Sequence, residues 1–177
     1  MTAIIRKANI EDASELSRFS EQLFRSTFSH ANSIDDMNAH CNLNFSPMRQ
    51  EQEISNHNML ILLAEANREI IGFIQTCNGQ LPECLVNVKS AAEIRRLYVS
   101  PQYHGRGIAH QLMQAAINNM IENGMDCTWL GVWEHNPRAI RFYKKSGFIE
   151  VGEQEFYLGR DLQRDLIMAR HLSPGSE

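Results

Sequence analysis

The chain has 177 residues, a net charge of −4, 43% hydrophobic residues and 21% charged residues. That length suits one domain with a sizeable core, and the acidic balance argues against a nucleic-acid binder, which needs a basic footprint. No apolar run approaches membrane-spanning length, and Arg6 and Lys7 follow too few apolar residues for a signal peptide. Cys41, Cys77, Cys84 and Cys127 show neither a CxxC pair nor metal-ligand spacing, so reduced thiols, no metal and a soluble, cytoplasmic protein are expected.

In chain order, Ala3–Lys7 reads as a short strand. Glu11 and Asp12 favour a helix start, and Leu16, Phe19, Leu23 and Phe24 carry that helix to about Phe28. Ser29-His30-Ala31-Asn32 ends it. Ser33 with Asp36 makes a capping-box-like start for a helix from Ile34 to about Leu43, and Ser46-Pro47 opens another that ends near Asn56. Met59–Ala64 is a continuous apolar run suited to a buried strand, Asn67-Arg68 turns the chain, and Glu69–Thr76 pairs back. Asn78–Ser90, with Gly79 and Pro82, reads as a loop.

Glu93–Ser100 is the next strand, followed by the polar loop Gln102–Gly107. Ile108, Leu112, Ala116 and Met120 then share one helix face, and Asn123-Gly124 stops that helix. Cys127–Trp133 is a strand, Glu134–Pro137 a turn, and Arg138–Ser146 a helix stopped by Gly147. Ile149–Leu158 and Arg164–His171 form a final hairpin through Gly159-Arg160-Asp161. Residues 1–172 are expected to make one mixed α/β domain, with 173–177 a flexible tail.

Two stretches carry chemistry. The first is the strand, glycine loop and helix around Gln102-Tyr103-His104-Gly105-Arg106-Gly107. Free amides and the helix dipole converge where such a loop opens a helix, and that place suits a phosphate. Glycines at 105 and 107 permit unusual φ and close backbone approach. The loop lacks the Lys-Ser/Thr of a nucleoside-triphosphate loop and the third glycine of a dinucleotide fingerprint. On its own it is equally an ordinary strand–turn–helix. The second stretch is N-x-x-A-x-x-F-Y-x-x-x-G-F, carried by Asn136, Ala139, Phe142, Tyr143, Gly147 and Phe148.

The Q-x-x-G-x-G loop resembles the pyrophosphate loop of the GNAT N-acetyltransferases, and the second stretch resembles their other acetyl-CoA motif, in the family's order and spacing. The resemblance implies a mixed α/β fold, with a mostly antiparallel, twisted sheet of about seven strands flanked by helices. It implies that the strands ending at Val99 and Trp133 splay to admit the pantetheine arm as an added strand. Backbone groups of Leu97, Tyr98 and Val99 would hold that arm, and the Val99 N–H would polarise the thioester carbonyl. Amides from His104 through Gly105, Arg106, Gly107 and Ile108 to Ala109 would hold the pyrophosphate. Arg106 is either a phosphate contact or a solvated charge, and Asn136 either a cofactor contact or a helix cap.

By position in the motif, Tyr143 would protonate the departing thiolate, since a phenol titrating near ~10 is a donor at neutral pH. The base that frees the amine is Glu93, Glu134 or a water chain, with Glu93 preferred. A narrower resemblance, to the PaiA-type polyamine acetyltransferases, rests on Thr27-Phe28, Asn32-Ser33, Asp35-Asp36-Met37, Trp129–Glu134, Phe156–Gly159 and Asp165–Met168. It implies spermidine or spermine as acceptor, with Asp35, Asp36, Glu134, Glu153 and Glu155 as candidate partners for a polycation. Other family members acetylate protein termini, lysines, amino acids or aminoglycosides, and a non-catalytic acyl-CoA-binding regulator is the rival from another class. The family also implies a possible homodimer.

Overall fold

The computed structural model describes residues 3–30, 32–79, 81–158 and 161–173. The strands are β1 (Ile4–Lys7), β2 (Met59–Ala66), β3 (Glu69–Asn78), β4 (Ala91–Val99), β5 (Cys127–Trp133), β6 (Ile149–Leu158) and β7 (Asp161–His171). The helices are α1 (Ala13–Phe28), α2 (Ile34–Phe45), α3 (Pro47–Ser55), α4 (Ile108–Glu122) and α5 (Pro137–Lys145). Ala31, Gly159, Arg160 and residues 174–177, on which parts of the expected break, hairpin connection and tail fall, lie outside the described residues.

All seven strands join one sheet in the order β1-β2-β3-β4-β5-β7-β6. Each neighbouring pair is antiparallel except β4 with β5, which is the expected mostly antiparallel α/β architecture. Asn67 and Arg68 both take positive φ between Ala66 and Glu69, a two-residue hairpin turn whose twist matches the strands. Several strands outrun their apolar patterns. β7 begins at Asp161 rather than Arg164, because the β6 ladder continues through the Leu158–Asp161 pair. β4 likewise begins at Ala91, held by its ladders to Asn78-Cys77 and Cys127-Thr128.

The sheet is covered on both faces. On one, Ile108, Leu112, Ala116 and Met120 of α4 bury against Ile74, Ala92, Ile94, Leu130 and Met168. On the other, Leu16 of α1 packs on Leu63 and Phe73, while Phe24, Met37, Cys41 and Phe45 bind α1 to α2. Burial of such side chains supplies the main driving force for folding, about 1.5–3 kcal/mol each.

A buried charge cluster fixes the second layer. Glu53 of α3 is 2% exposed and its carboxylate lies 2.6 Å from the Arg96 guanidinium of β4. Arg49 and the Gln75 amide also donate to it, at 3.0 and 2.9 Å. Arg96 reaches the Asn44 carbonyl as well and lies over the Phe45 ring. A bulge opposite Gln75-Thr76 leaves Arg95 unpaired in the β3–β4 ladder and resets the alternation of β4 beyond it.

Candidate active site

The β4–β5 ladder is short. Its parallel register runs only from Ala91–Cys127 to Glu93–Trp129, and from there the two strands part. A cleft of about 390 Å³ opens between them. Its lining includes Leu97, Tyr98 and Val99 of β4, Gly131 and Trp133 of β5, and Asn136, Ala139, Phe142 and Tyr143 at α5. The expected splay is therefore present, at the expected place.

Backbone direction along β4 follows from one bond. The Ser100 N–H donates to the Ile71 carbonyl on the β3 side, so by alternation the polar groups of Val99 and Leu97 point toward the cleft. Tyr98 faces β3 with its backbone and contributes its ring to the cleft wall instead. The His104 Nε2 lies 2.8 Å from the Val99 carbonyl oxygen, pinning the loop to the strand end.

Pro101–Tyr103 forms a single 3-10 turn, and the chain then passes through Gly105 (φ 75°) and Gly107 (φ 79°) into α4. The first bond of α4 runs from the Gln111 N–H to the Gly107 carbonyl, so Ile108, Ala109 and His110 keep amides with no partner in the helix. A Cβ added at Gly105 would meet nothing within 4 Å, and one at Gly107 only the Gln111 amide at 3.9 Å. Within the chain, then, these glycines answer to φ rather than to crowding, and the surface over the loop is clear for a ligand. The unpaired edge, the clear loop and the helix start together fit a pantetheine pyrophosphate. Arg106 is exposed and stacks on the Tyr103 ring at 5.4 Å.

Asn136 caps α5, accepting from the Ala139 N–H at 3.1 Å, and also lines the cleft. Tyr143 packs edge-on against Phe142 and Phe148. Burial, then the neighbouring Tyr98, pushes its phenol well above the usual range, so it stays protonated throughout any working pH.

Glu93 is not among the residues lining the cleft. It sits where β4 and β5 are still paired, 3.8 Å from Arg95, and burial raises its carboxyl despite that neighbour. The other carboxylates expected near an acceptor are not in the cleft lining either, but Glu134, Glu153 and Glu155 line a second pocket that shares Trp133 and Gln163 with it. Asp36 accepts from the Ser33 hydroxyl at the start of α2, and Asp35 is exposed beside it. Arg164 bridges Glu134 and Glu153 at 2.5 and 2.9 Å, and Glu155 is exposed beside Glu153.

The far wall of the cleft draws on residues that carry the narrower polyamine-acetyltransferase resemblance, Thr27, Phe28, Trp133, Phe156 and Asp165, although the sequence patterns assigned none of these five a role at the site. Phe24, Thr27 and Phe28 of α1, Trp133 of β5, Phe156 of β6 and Gln163 and Asp165 of β7 form it. Phe28 meets Trp133 edge-on at 5.9 Å, and His40 stacks on Phe24 and abuts Phe156. Burial holds His40 down at about 4, a neutral ring at physiological pH. Asp165 is half-buried, and burial with no compensating cation raises its carboxyl to about 6. A Cβ at Gly131 would come within 2.7 Å of the Gln154 amide and 3.1 Å of the Asp165 carboxylate. Gly131, a glycine inside a strand, was the readable sign that something approaches β5 there.

The chain matches the Acetyltransferase (GNAT) family model over residues 21–148. It is 30% identical over 161 residues to an uncharacterized N-acetyltransferase of Mycobacterium tuberculosis, covering 91% of this chain and 98% of the relative. It is 29% identical over 152 residues to a spermidine N(1)-acetyltransferase of Thermoplasma acidophilum, covering 84% and 89%. Among solved structures, the PaiA N-acetyltransferase of Thermoplasma acidophilum in complex with coenzyme A superposes with a TM-score of 0.78 at 26% identity, over 97% and 99% of the two chains. Cleft, loop and relatives agree: the chain belongs to the GNAT acetyltransferase family and is an acetyl-CoA-dependent N-acetyltransferase.

Proposed function

We propose that the acceptor is a polyamine of the spermidine or spermine type, acetylated by direct attack within a ternary complex. The observation that carries this reading is the similarity to a spermidine N(1)-acetyltransferase over 84% of the chain. The cleft is compatible with it: its lining includes four aromatic side chains, Phe24, Phe28, Trp133 and Phe156, and, among the described residues, one carboxylate, a lining suited to an alkylammonium.

Acetyl-CoA supplies the activated acetyl group as a thioester. Leu97 and Val99 hold the pantetheine arm through the backbone groups that β4 turns into the cleft, and the Val99 N–H polarises the carbonyl. Amides from His104 to Ala109 take the pyrophosphate. Tyr143 donates its proton to the departing sulfur, a role that its raised pKa supports by keeping it protonated. Asn136 keeps its carbonyl oxygen on the α5 cap and so positions the helix that carries Tyr143. The free thiols of Cys41, Cys77, Cys84 and Cys127 support a reducing compartment such as the cytoplasm.

The test is CoA release from acetyl-CoA with spermidine, spermine, putrescine, free amino acids, an aminoglycoside and a lysine peptide. Spermidine or spermine is expected to give the highest kcat/KM. A lysine peptide or aminoglycoside ahead of both would replace the polyamine and leave the transferase standing.

A further inference from the structure

A GNAT reaction needs something to hold the acceptor's ammonium and take its proton, and Glu93 is not among the residues lining the cleft. Among the described residues lining the cleft, Asp165 is the single carboxylate. It stands across from Trp133 and Gln154 on the neighbouring strands, beyond the point where β4 and β5 part. No hydrogen bond or ion pair engages its carboxyl among the described residues, although such groups are ordinarily paired when removed from water. The room it occupies exists because residue 131 is glycine.

We propose that Asp165 pairs with the ammonium of the acceptor and accepts its first proton, with the aromatic wall taking the alkyl segment behind it. The proposal rests on the transferase reading of this cleft and narrows the acceptor to a cationic alkylamine. Free amino acids are disfavoured, because their own carboxylate would face Asp165.

The groups around Asp165 leave it free for this role. Gln154 on β6 and Trp133 on β5 are uncharged, and Arg164, Glu153 and Glu134 form their own exposed cluster. The cleft's other titratable side chains are Arg95, Arg96, Tyr98, His104, Arg138 and Tyr143. Of these, Arg96 is held by Glu53, and none contributes to the raised titration of Asp165, which comes from burial alone. A carboxyl near 6 is ionised at neutral pH yet is a stronger base than an ordinary aspartate.

The protons balance. The acceptor's ammonium gives one proton to Asp165, and the freed nitrogen bonds the acetyl carbon as the carbon–sulfur bond breaks. Tyr143 gives its proton to the sulfur and is restored by the second proton leaving the nitrogen. Asp165 returns its proton to solvent, so ammonium and thioester become amide, thiol and one H⁺.

The experiment compares wild type, Asp165→Asn and Asp165→Glu with the best amine of the panel, measuring kcat/KM from pH 5 to 9 and acetyl-CoA affinity by calorimetry. Wild type should lose kcat/KM as pH falls through about 6. Asp165→Asn should lose about 10²-fold at pH 8 and have no acid limb near 6, with acetyl-CoA affinity unchanged. Asp165→Glu should recover part of the rate, and intact acetyl-CoA binding shows that the variants are folded. An Asn variant within threefold of wild type, or one that keeps the limb, overturns the proposal. Poor use of spermidine beside good use of another alkylamine overturns the polyamine reading alone. Failure with every amine overturns both.

Discussion

The two sides of the cleft are built by different means. The side proposed for the cofactor comes mainly from one stretch of about a dozen residues, Leu97 to Ala109, with Asn136 and Tyr143 added at α5, and that stretch would work through its backbone: an unpaired strand edge, two positive-φ glycines and a helix start. The wall proposed for the acceptor comes from side chains on four elements, from Phe24 in α1 to Asp165 in β7. A backbone site tolerates many side chains and keeps its geometry as long as strand, turn and helix follow one another. A side-chain site depends on how distant elements pack, so one substitution in any of them changes what it binds. A common donor is thus compatible with many acceptors on one fold.

If the acceptor wall depends on packing, loosening its support should damage it while sparing the cofactor side. Glu53→Gln leaves Arg96 without its charge partner in a buried setting, so a loss of about 3–5 kcal/mol in chemical denaturation is expected. At temperatures where the variant remains folded, KM for the amine should rise more than KM for acetyl-CoA. Equal rises would show that α3 supports both sides alike.

Tyr143→Phe is expected to lower kcat about 10²-fold, with acetyl-CoA affinity within twofold of wild type by calorimetry. Loss of affinity in step with rate would make Tyr143 a packing residue of α5 instead.

Asp165→Asn sharpens the contrast through stability. The folded-state pKa of Asp165 is raised above its unfolded value, so its charge costs stability at neutral pH, and wild type should gain stability as pH falls through about 6 toward 4. Discounted for partial exposure, the Asn variant should be more stable at pH 8 by on the order of 1 kcal/mol, or about 2–4 °C in Tm. A lower Tm would mean that the carboxylate has a structural partner.

On the cofactor side, Gly107→Ala places a side chain at φ 79°, a strain of about 1–2 kcal/mol that should weaken acetyl-CoA binding several-fold and leave amine discrimination unchanged. The smallest effect is expected for Arg164→Ala. Its ion pairs with Glu134 and Glu153 are exposed and outside the cleft, so activity and Tm should stay at wild-type values.

The local signals were readable wherever chemistry and chain order coincide. Ser33 and Ser46 accept from the amides of Asp36 and Arg49 as N-caps, Pro47 and Pro137 sit in the first turns of α3 and α5, and Gly147 follows α5 with φ 84°. Periodicity read α4, because a single apolar stripe faces the sheet. Strand ends were less legible, as at Asp161 and Ala91, because a ladder extends a strand past its apolar residues. Glu93 looked like a base from its place in β4. The distance over which β4 and β5 remain paired, a property of two strands together, keeps it out of the cleft.

By itself, then, the sequence determined the order of strands and helices, the phosphate-suited loop and the place of Tyr143, because each is set by residues within one turn or strand. Only the tertiary structure decided that Glu93 is not among the residues lining the cleft, that Asp36 meets the Ser33 cap, that Glu134 and Glu153 pair with Arg164, and that Asp165 is the single carboxylate among the described residues lining the cleft. Burial and partnership are properties of neighbours in space, and Asp165 acquires its neighbours from β5 and β6 only when the sheet assembles.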